Sequence, residues 1–157
     1  MSSIHPMPDD SAVSQMLGMM FGDEVEIEPG NPVTENTVTA VFLNDADEPV
    51  CACVSDYNCA AFLGSALTKI PPGGAEDAAK SGDFSDMMVG NFRETMNICS
   101  RLLMNADSPH IRLHELYMSA DNVPDDCKAM LDSAAASKSY TVTLPNYGSG
   151  TLSFVST

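Results

Sequence analysis

Two polar residues one helical turn apart, Glu94 and Asn97, have the types and the spacing that could do chemistry in this chain. A carboxylate binds cationic groups, and an amide donates and accepts hydrogen bonds at the same time without changing its charge. Side chains three residues apart on a helix are neighbours on one face, so both can act on one object that approaches that face. The pair is therefore the candidate site of this sequence.

The helix that would position this pair is predicted from about Phe84 to Met104. On a helical wheel the apolar residues fall within one arc, the core stripe: Val89, Phe92, Met96, Cys99 and Leu103. The polar residues and a glycine fall within a roughly opposite arc: Gly90, Glu94, Asn97 and Arg101. We therefore expect the pair to be exposed while the other side of the helix packs on the core.

The exposed arc has two interpretations. Any exposed helix face carries residues such as Glu, Asn and Arg, and the pair would then interact only with water. Asn is a mediocre helix former, however, and Gly90 costs about 1 kcal/mol relative to Ala. Two poor helix formers on one exposed face favour a contact in which the backbone of a partner approaches closely over Gly90.

The composition predicts one compact domain, since 157 residues can bury a core without a disulfide or a metal. The net charge of -15 argues against nucleic acid and against anionic membrane surfaces as partners. The N-terminus does not look like a signal peptide, and no apolar run approaches the length that spans a bilayer. We therefore expect a cytoplasmic protein, with residues 1–10 as a flexible N-terminus and residues 11–157 as a single domain.

The cysteines and histidines do not predict a metal or cofactor site. The five cysteines are odd in number and lack a Cys-x-x-Cys spacing, and Cys51 and Cys53 alternate within a run that predicts a buried strand. His110 and His114 have a metal-ligand spacing only if they lie on a helix, and the residues between them favour a strand. The 11 methionines ordinarily fill gaps in a core, with a Met-lined groove for a partner as the alternative.

The remaining elements are strands and helices joined by hairpins instead of repeated crossovers, which predicts an α+β fold with a largely antiparallel sheet. In chain order we first predict a helix that is capped by Ser11, runs to about Phe21 and is stopped by Gly22, then a strand Glu24–Glu28 and a hairpin of Thr37–Leu43 and Pro49–Val54. A helix capped by Asp56 and ended by Pro71 follows, with a surface connection to Asp83. After the long helix we predict a strand Ile111–Met118, a helix Pro124–Ala136, and a closing hairpin of Tyr140–Leu144 and Thr151–Val155. The Gly-rich run Asn146–Gly150 lies in that last hairpin and is interpreted as a turn, not a phosphate loop.

The segment from Val89 to Cys99 resembles the Glu-x-x-Asn helix of the CheC/CheX family of chemotaxis phosphatases. The order of the elements is similar as well, with a first helix ending in Leu17–Gly22 and a helix containing Ala60–Leu67 before the motif helix. The resemblance covers nearly the whole chain and thins after about Ser108. It implies a CheC/CheX-like fold, in which a largely antiparallel sheet is covered by two long helices and shorter ones.

The resemblance also implies an activity, the hydrolysis of the aspartyl-phosphate of a CheY-type response regulator. By that similarity Glu94 would pair with the active-site lysine of the regulator, and Asn97 would enter its active site and orient the attacking water. Any magnesium would belong to the regulator, so the resemblance implies no cofactor in this chain. It further implies a homodimer.

The chain departs from the family pattern at two positions. The family usually has Asp or Ser four residues before the Glu, where this chain has Gly90, and a Pro about 23 residues after the Asn, where it has Ala120; the next proline is Pro124. The segment Asp121–Ser137 has no match in the pattern. A single motif resembles the CheX branch more than the two-site CheC branch, and the alternative is a non-enzymatic module of the same fold that docks on a signalling partner.

Overall fold

The computed structural model describes residues 5–157, and all their strands belong to one antiparallel sheet. The strands are β1 (Glu26–Pro29), β2 (Thr37–Leu43), β3 (Pro49–Asp56), β4 (Arg112–Tyr117), β5 (Ala136–Leu144) and β6 (Gly148–Ser156). Their order across the sheet is β1-β5-β6-β3-β2-β4, and every neighbouring pair is antiparallel. The predicted α+β class is therefore confirmed.

Five α-helices accompany the sheet within residues 5–157. They are α1 (Asp10–Phe21), α2 (Tyr57–Ala66), α3 (Pro72–Ser81), α4 (Asp86–Cys99) and α5 (Asp125–Asp132), with 3₁₀ turns at Ser100–Leu103 and Ala120–Asn122. The longest are α1 and α4, with 12 and 14 residues. None of the described helices is long and apolar enough to cross a membrane.

One face of the sheet, which we call the core face, packs against α1, α2 and α4. Strand residues alternate between the two faces, so every second side chain of the central strands enters this core. Its largest fully buried side chains include Phe42 and Phe154 from the sheet and Phe92 and Met96 from α4. The opposite face packs against α5, through contacts such as Met130 with Val155.

The first helix begins earlier than we predicted, at Asp10 instead of after Ser11. The reason is the cap, because the carboxylate of Asp9 accepts a hydrogen bond of 2.8 Å from the backbone N–H of Ala12. Gly22 ends the helix as predicted, with a φ of 105°. Residues 1–4 of the predicted flexible N-terminus lie outside the described residues. Pro8, from the same predicted segment, contacts the sheet, because Tyr140 Oη donates a hydrogen bond to its carbonyl at 2.6 Å.

The predicted surface connection before Asp83 is wrong, because this stretch contains α3. Proline is tolerated in the first turn of a helix, so Pro72 starts α3 instead of preventing it. Ala75 and Ala78 are buried in the main core, where their small side chains allow a close approach. Gly82 ends the helix in the left-handed region, with a φ of 77°.

Other predicted boundaries shift by a few residues. The first strand is Glu26–Pro29 instead of Glu24–Glu28, and α5 stops at Asp132, so Ala136 already belongs to β5. The long predicted helix ends as an α-helix at Cys99 and continues as a 3₁₀ turn. In the closing hairpin β6 begins at Gly148, so its glycines are strand residues and only residues 145–147 form the turn.

Candidate functional site

The candidate site lies on α4, whose inner side is anchored in the core. Ser85 caps the helix by accepting from the N–H of Met88, and Phe92, Met96 and Cys99 are buried as predicted. Burial raises the pKa of the Cys99 thiol to about 12, which favours the neutral thiol and fits a packing role in the core. The buried stripe fixes which side of α4 faces outward.

Two contacts hold α4 against α2. Asn91 Nδ2 donates to the carbonyl of Gly64 at 2.9 Å and to Thr68 Oγ1 at 2.8 Å. A Cβ at Gly64 would lie 2.7 Å from the carbonyl oxygen of Met88, so the two helices approach as closely as they do only because residue 64 has no side chain. The sequence reasoning missed the role of Asn91, because nothing in its spacing distinguishes it from a surface residue.

Glu94 and Asn97 are exposed on the outer side of α4, one turn apart, as the helical wheel predicted. Among residues 5–157 neither side chain has a hydrogen bond or an ion pair with another residue. The neighbouring Arg93 does not neutralise Glu94, because its guanidinium binds Glu115 at 3.2 Å. Both candidate groups are therefore free to interact with a molecule from outside.

The pair lines a cleft of about 550 Å³, which we call the α1–α4 cleft. Its walls come from α1, from the second half of α4 and the 3₁₀ turn after it, and from the start of β4. The lining residues are Met16, Met19, Met20, Glu94, Asn97, Ile98, Ser100, Arg101, Met104, His110, Ile111 and Arg112. The structure thus brings the first helix, which the sequence did not connect with the site, alongside the predicted pair.

Four of the 11 methionines line this cleft, and three of them come from α1. Met19 is 80% exposed, the most exposed large apolar side chain of the described residues. Methionine side chains are flexible and polarizable, which suits them to surfaces that adapt to a partner. A Met-lined groove, the alternative left open by the sequence, is therefore present. The spacing of Met16, Met19 and Met20 on one side of α1 was the signal that could have located it.

The charged groups of the cleft differ in their balance from those of the chain as a whole. The chain has 22 acidic and 7 basic residues, whereas the cleft contains one carboxylate, Glu94, and two guanidinium groups, Arg101 and Arg112. Arg112 is bound to Asp47 and donates to the carbonyl of Asn44 at 3.0 Å. The cleft therefore lacks the excess of negative charge that the chain as a whole carries.

Gly90 is exposed, and a Cβ built on it meets no atom within 4 Å. The fold itself does not require a glycine at this position. Close approach of a partner over Gly90 stays a prediction, as do the roles of Glu94 and Asn97.

The segment Asp121–Ser137, which has no match in the family pattern, lies away from the cleft. Ala120 begins a 3₁₀ turn and Pro124 precedes α5, which packs on the opposite face of the sheet. His110 Nδ1 lies 3.3 Å from Asp45 Oδ1, and His114 is on β4. Within residues 5–157, no group of three or more His, Cys, Asp or Glu side chains is arranged to hold a metal ion.

Comparisons with known proteins find similarity in structure only, since no family model and no curated protein matches the sequence. A chain of the FliM–SpeE complex from H. pylori superimposes with a TM-score of 0.63 and 11% identity, over 94% of this chain and 80% of that one. The FliM middle domain from H. pylori gives 0.57 and 12%, over 94% and 84%. A chain of the CheX–CheY–BeF3–Mg²⁺ complex from Borrelia burgdorferi gives 0.43 and 14%, over 90% of each chain.

At these identities the matches show a shared fold and not a shared activity. The two FliM matches extend over almost the whole described chain, whose antiparallel sheet with helical cover is the architecture that the sequence predicted. The predicted CheC/CheX-like fold is therefore confirmed.

Proposed function

We propose that this chain is a CheX-like phosphatase, which accelerates hydrolysis of the aspartyl-phosphate of a response regulator in chemotaxis or two-component signalling. The observation that supports this most strongly is the state of Glu94 and Asn97. They are exposed, one turn apart and unpartnered among the described residues, and they line a cleft on a helix that the core holds in place. The fold is compatible with this function.

Asn97 is the residue that orients water in this proposal. Its amide oxygen accepts a hydrogen bond from the attacking water, while its amide nitrogen can donate to an oxygen near the phosphorus. Phosphoryl transfer depends more on positioning and charge stabilisation than on covalent help. A hundredfold acceleration requires a barrier lower by only about 2.7 kcal/mol, which one well-placed polar group can supply.

Glu94 is the docking residue in this proposal. Its carboxylate would form a charge-assisted hydrogen bond with the ammonium of a lysine in the regulator. Since Glu94 has no ion pair among the described residues, no internal contact has to break before docking. Any magnesium would be held by the regulator, and this chain would supply only the two side chains.

A second candidate is a non-enzymatic module that docks on a signalling partner through the same cleft. The departures at Gly90 and Ala120 favour it, as does the similarity to FliM, one of whose structures is a complex with another protein, SpeE. Both candidates predict binding of a protein partner, and they differ in whether Asn97 acts on a phosphoryl group.

The decisive experiment measures loss of phosphate from a panel of phosphorylated regulators of the same organism, with the wild-type chain, Asn97→Ala and Asn58→Ala. Asn58 is a matched control, because it is exposed on α2 and does not line the cleft. The enzyme proposal expects wild-type and Asn58→Ala to accelerate the loss and Asn97→Ala not to. If the wild-type chain accelerates none of them, the enzyme proposal is wrong, and binding without hydrolysis favours the docking module.

We also propose that the chain forms a homodimer and acts in the cytoplasm, where response regulators are found. These proposals rest on the resemblance and not on a contact within the described chain. Sedimentation of the purified protein tests the first, and a species that stays monomeric at tens of micromolar would contradict it.

A further inference from the structure

Arg101 is a charged residue of the α1–α4 cleft to which the proposed function gives no role. It lies in the 3₁₀ turn that directly continues α4, four residues after Asn97, and it is exposed. Helical side chains lean toward the N-terminus of their helix, so Arg101 leans back toward Asn97. The two Cα atoms are about 6 Å apart along the axis, a distance that the long arginine side chain can cover.

The three arginines of the chain are in different states. Arg93 binds Glu115 at 3.2 Å, and Arg112 binds Asp47 and the carbonyl of Asn44. Arg101 has neither a hydrogen bond nor an ion pair with any described residue, although the chain carries 22 acidic residues. Among the three arginines, Arg101 is therefore the one whose guanidinium is free to interact with a molecule from outside the chain.

The surroundings of Arg101 suit an anion. Arg101 shares the cleft with Arg112, which is paired with Asp47, and among the described residues the only carboxylate that lines the cleft is Glu94, two helical turns away. A guanidinium presents several N–H donors in a plane, and this geometry fits two oxygens of a phosphoryl group at once.

We propose that Arg101 is a third site residue, which donates hydrogen bonds to the phosphoryl oxygens of the regulator while Asn97 orients the water. This inference rests on the proposed function. In the reaction the water oxygen bonds to phosphorus, and the bond from phosphorus to the aspartate oxygen breaks with its electron pair on the carboxylate. A water proton passes to the phosphate or to solvent. Arg101 keeps its protons and stabilises the negative charge that spreads over the equatorial oxygens in the transition state.

The test compares Arg101→Ala and Arg101→Lys with Arg93→Ala, a matched control on α4 that does not line the cleft. The first measurement is the dephosphorylation rate of a regulator at saturating and at limiting concentrations of the chain. We expect Arg101→Ala to lower the saturated rate about tenfold or more. Arg101→Lys should keep part of it, because lysine retains the charge but not the planar fork, and Arg93→Ala should stay near wild type.

The second measurement does not depend on catalysis. It is the affinity for the same regulator with and without beryllofluoride, which occupies the place of the phosphoryl group. We expect the wild-type chain to prefer the beryllofluoride form and Arg101→Ala to lose most of that preference. Thermal unfolding of each variant confirms that it is folded.

The two proposals fail in different ways. In one case the wild-type chain hydrolyses, Arg101→Ala keeps the wild-type saturated rate, and its affinity for both regulator forms falls by the same factor. Arg101 then contacts a carboxylate of the partner, and this inference is overturned. If the wild-type chain prefers the beryllofluoride form without hydrolysing, the enzyme proposal fails, and loss of the preference in Arg101→Ala still supports the contact. A wild-type chain with no preference and no hydrolysis overturns both.

Discussion

The α1–α4 cleft and a groove on the opposite face of the sheet have similar volumes but differ in their polar groups. The α1–α4 cleft measures about 550 Å³, and a groove on the opposite face of the sheet, beside α5, measures about 560 Å³. In the opposite groove hydroxyl groups bind one another, as Ser139 and Ser153 do at 2.7 Å. In the cleft Glu94, Asn97 and Arg101 have no partner among the described residues.

The charges of the two surfaces differ in arrangement too. Lys128 and Asp132 of the opposite groove are four residues apart on α5, so each lies beside a group of opposite sign. Glu94 and Arg101 of the cleft are separated by two turns, with Asn97 between them. Volume therefore does not distinguish the two surfaces, whereas the spacing of their charged groups does.

The largest expected effect separates the two surfaces directly. We expect Asn97→Ala to lower the accelerated dephosphorylation rate about a hundredfold, since the oriented water is lost. Ser139→Ala in the opposite groove should leave the rate unchanged. Alanine is a better helix former than asparagine, and the Asn97 side chain has no internal contact, so the fold should survive. Equal losses in both variants would contradict the comparison.

A smaller effect is expected from Glu94→Gln, which keeps the shape of the side chain and removes its charge. We expect affinity for the regulator to fall about tenfold, and the remaining binding to depend less on salt than that of the wild-type chain. Glu76→Gln, on the exposed side of α3, removes the same charge away from the cleft and should change little. Titration calorimetry at two ionic strengths measures both quantities.

The apolar wall of the cleft should contribute less. We expect Met19→Glu to weaken regulator binding about fivefold, because the change places a charge where the partner would bury apolar surface. Val33→Glu adds the same charge to the opposite groove and should have no effect on binding. Met87, which is 60% exposed, lies at the other end of α4. A larger loss at Met87 than at Met19 would move the docking surface away from the cleft.

The smallest expected effect concerns Gly90. Since no atom lies within 4 Å of the added Cβ, Gly90→Ala should stabilise the protein by about 1 kcal/mol and raise its Tm by about 2–4 °C. The same variant should bind the regulator more weakly if a partner backbone passes over this residue. Differential scanning calorimetry measures the change in Tm. An unchanged affinity for the regulator would contradict the close approach of a partner over Gly90.

How much was predictable from the sequence depends on whether a feature is local. The exposure of Glu94 and Asn97 followed from the helical period of α4, because the core stripe alone decides which side faces outward. The cleft did not follow from any local pattern, because its methionines belong to α1 and meet α4 only through tertiary packing. The lack of an ion pair at Arg101 could not be predicted either, since it depends on which acidic residues the fold brings near.

The errors have physical reasons as well. The stretch that forms α3 contains the helix breakers Pro72, Gly73 and Gly74, and propensity argued against a helix there. Its packing against the core through Ala75 and Ala78 outweighs that local cost. The end of α4 at Cys99 was missed because the apolar period continues into the 3₁₀ turn through Leu103.

The contact of Gly64 with α4 has a consequence for how such a site could be tuned. The backbone of Met88 sits so close to residue 64 that even a methyl group there would push α4 outward from α2. Such a shift would move Glu94, Asn97 and Arg101 together, because all three lie on α4 and its 3₁₀ extension. The buried residue Gly64 therefore sets how far the three side chains extend from the surface toward a partner.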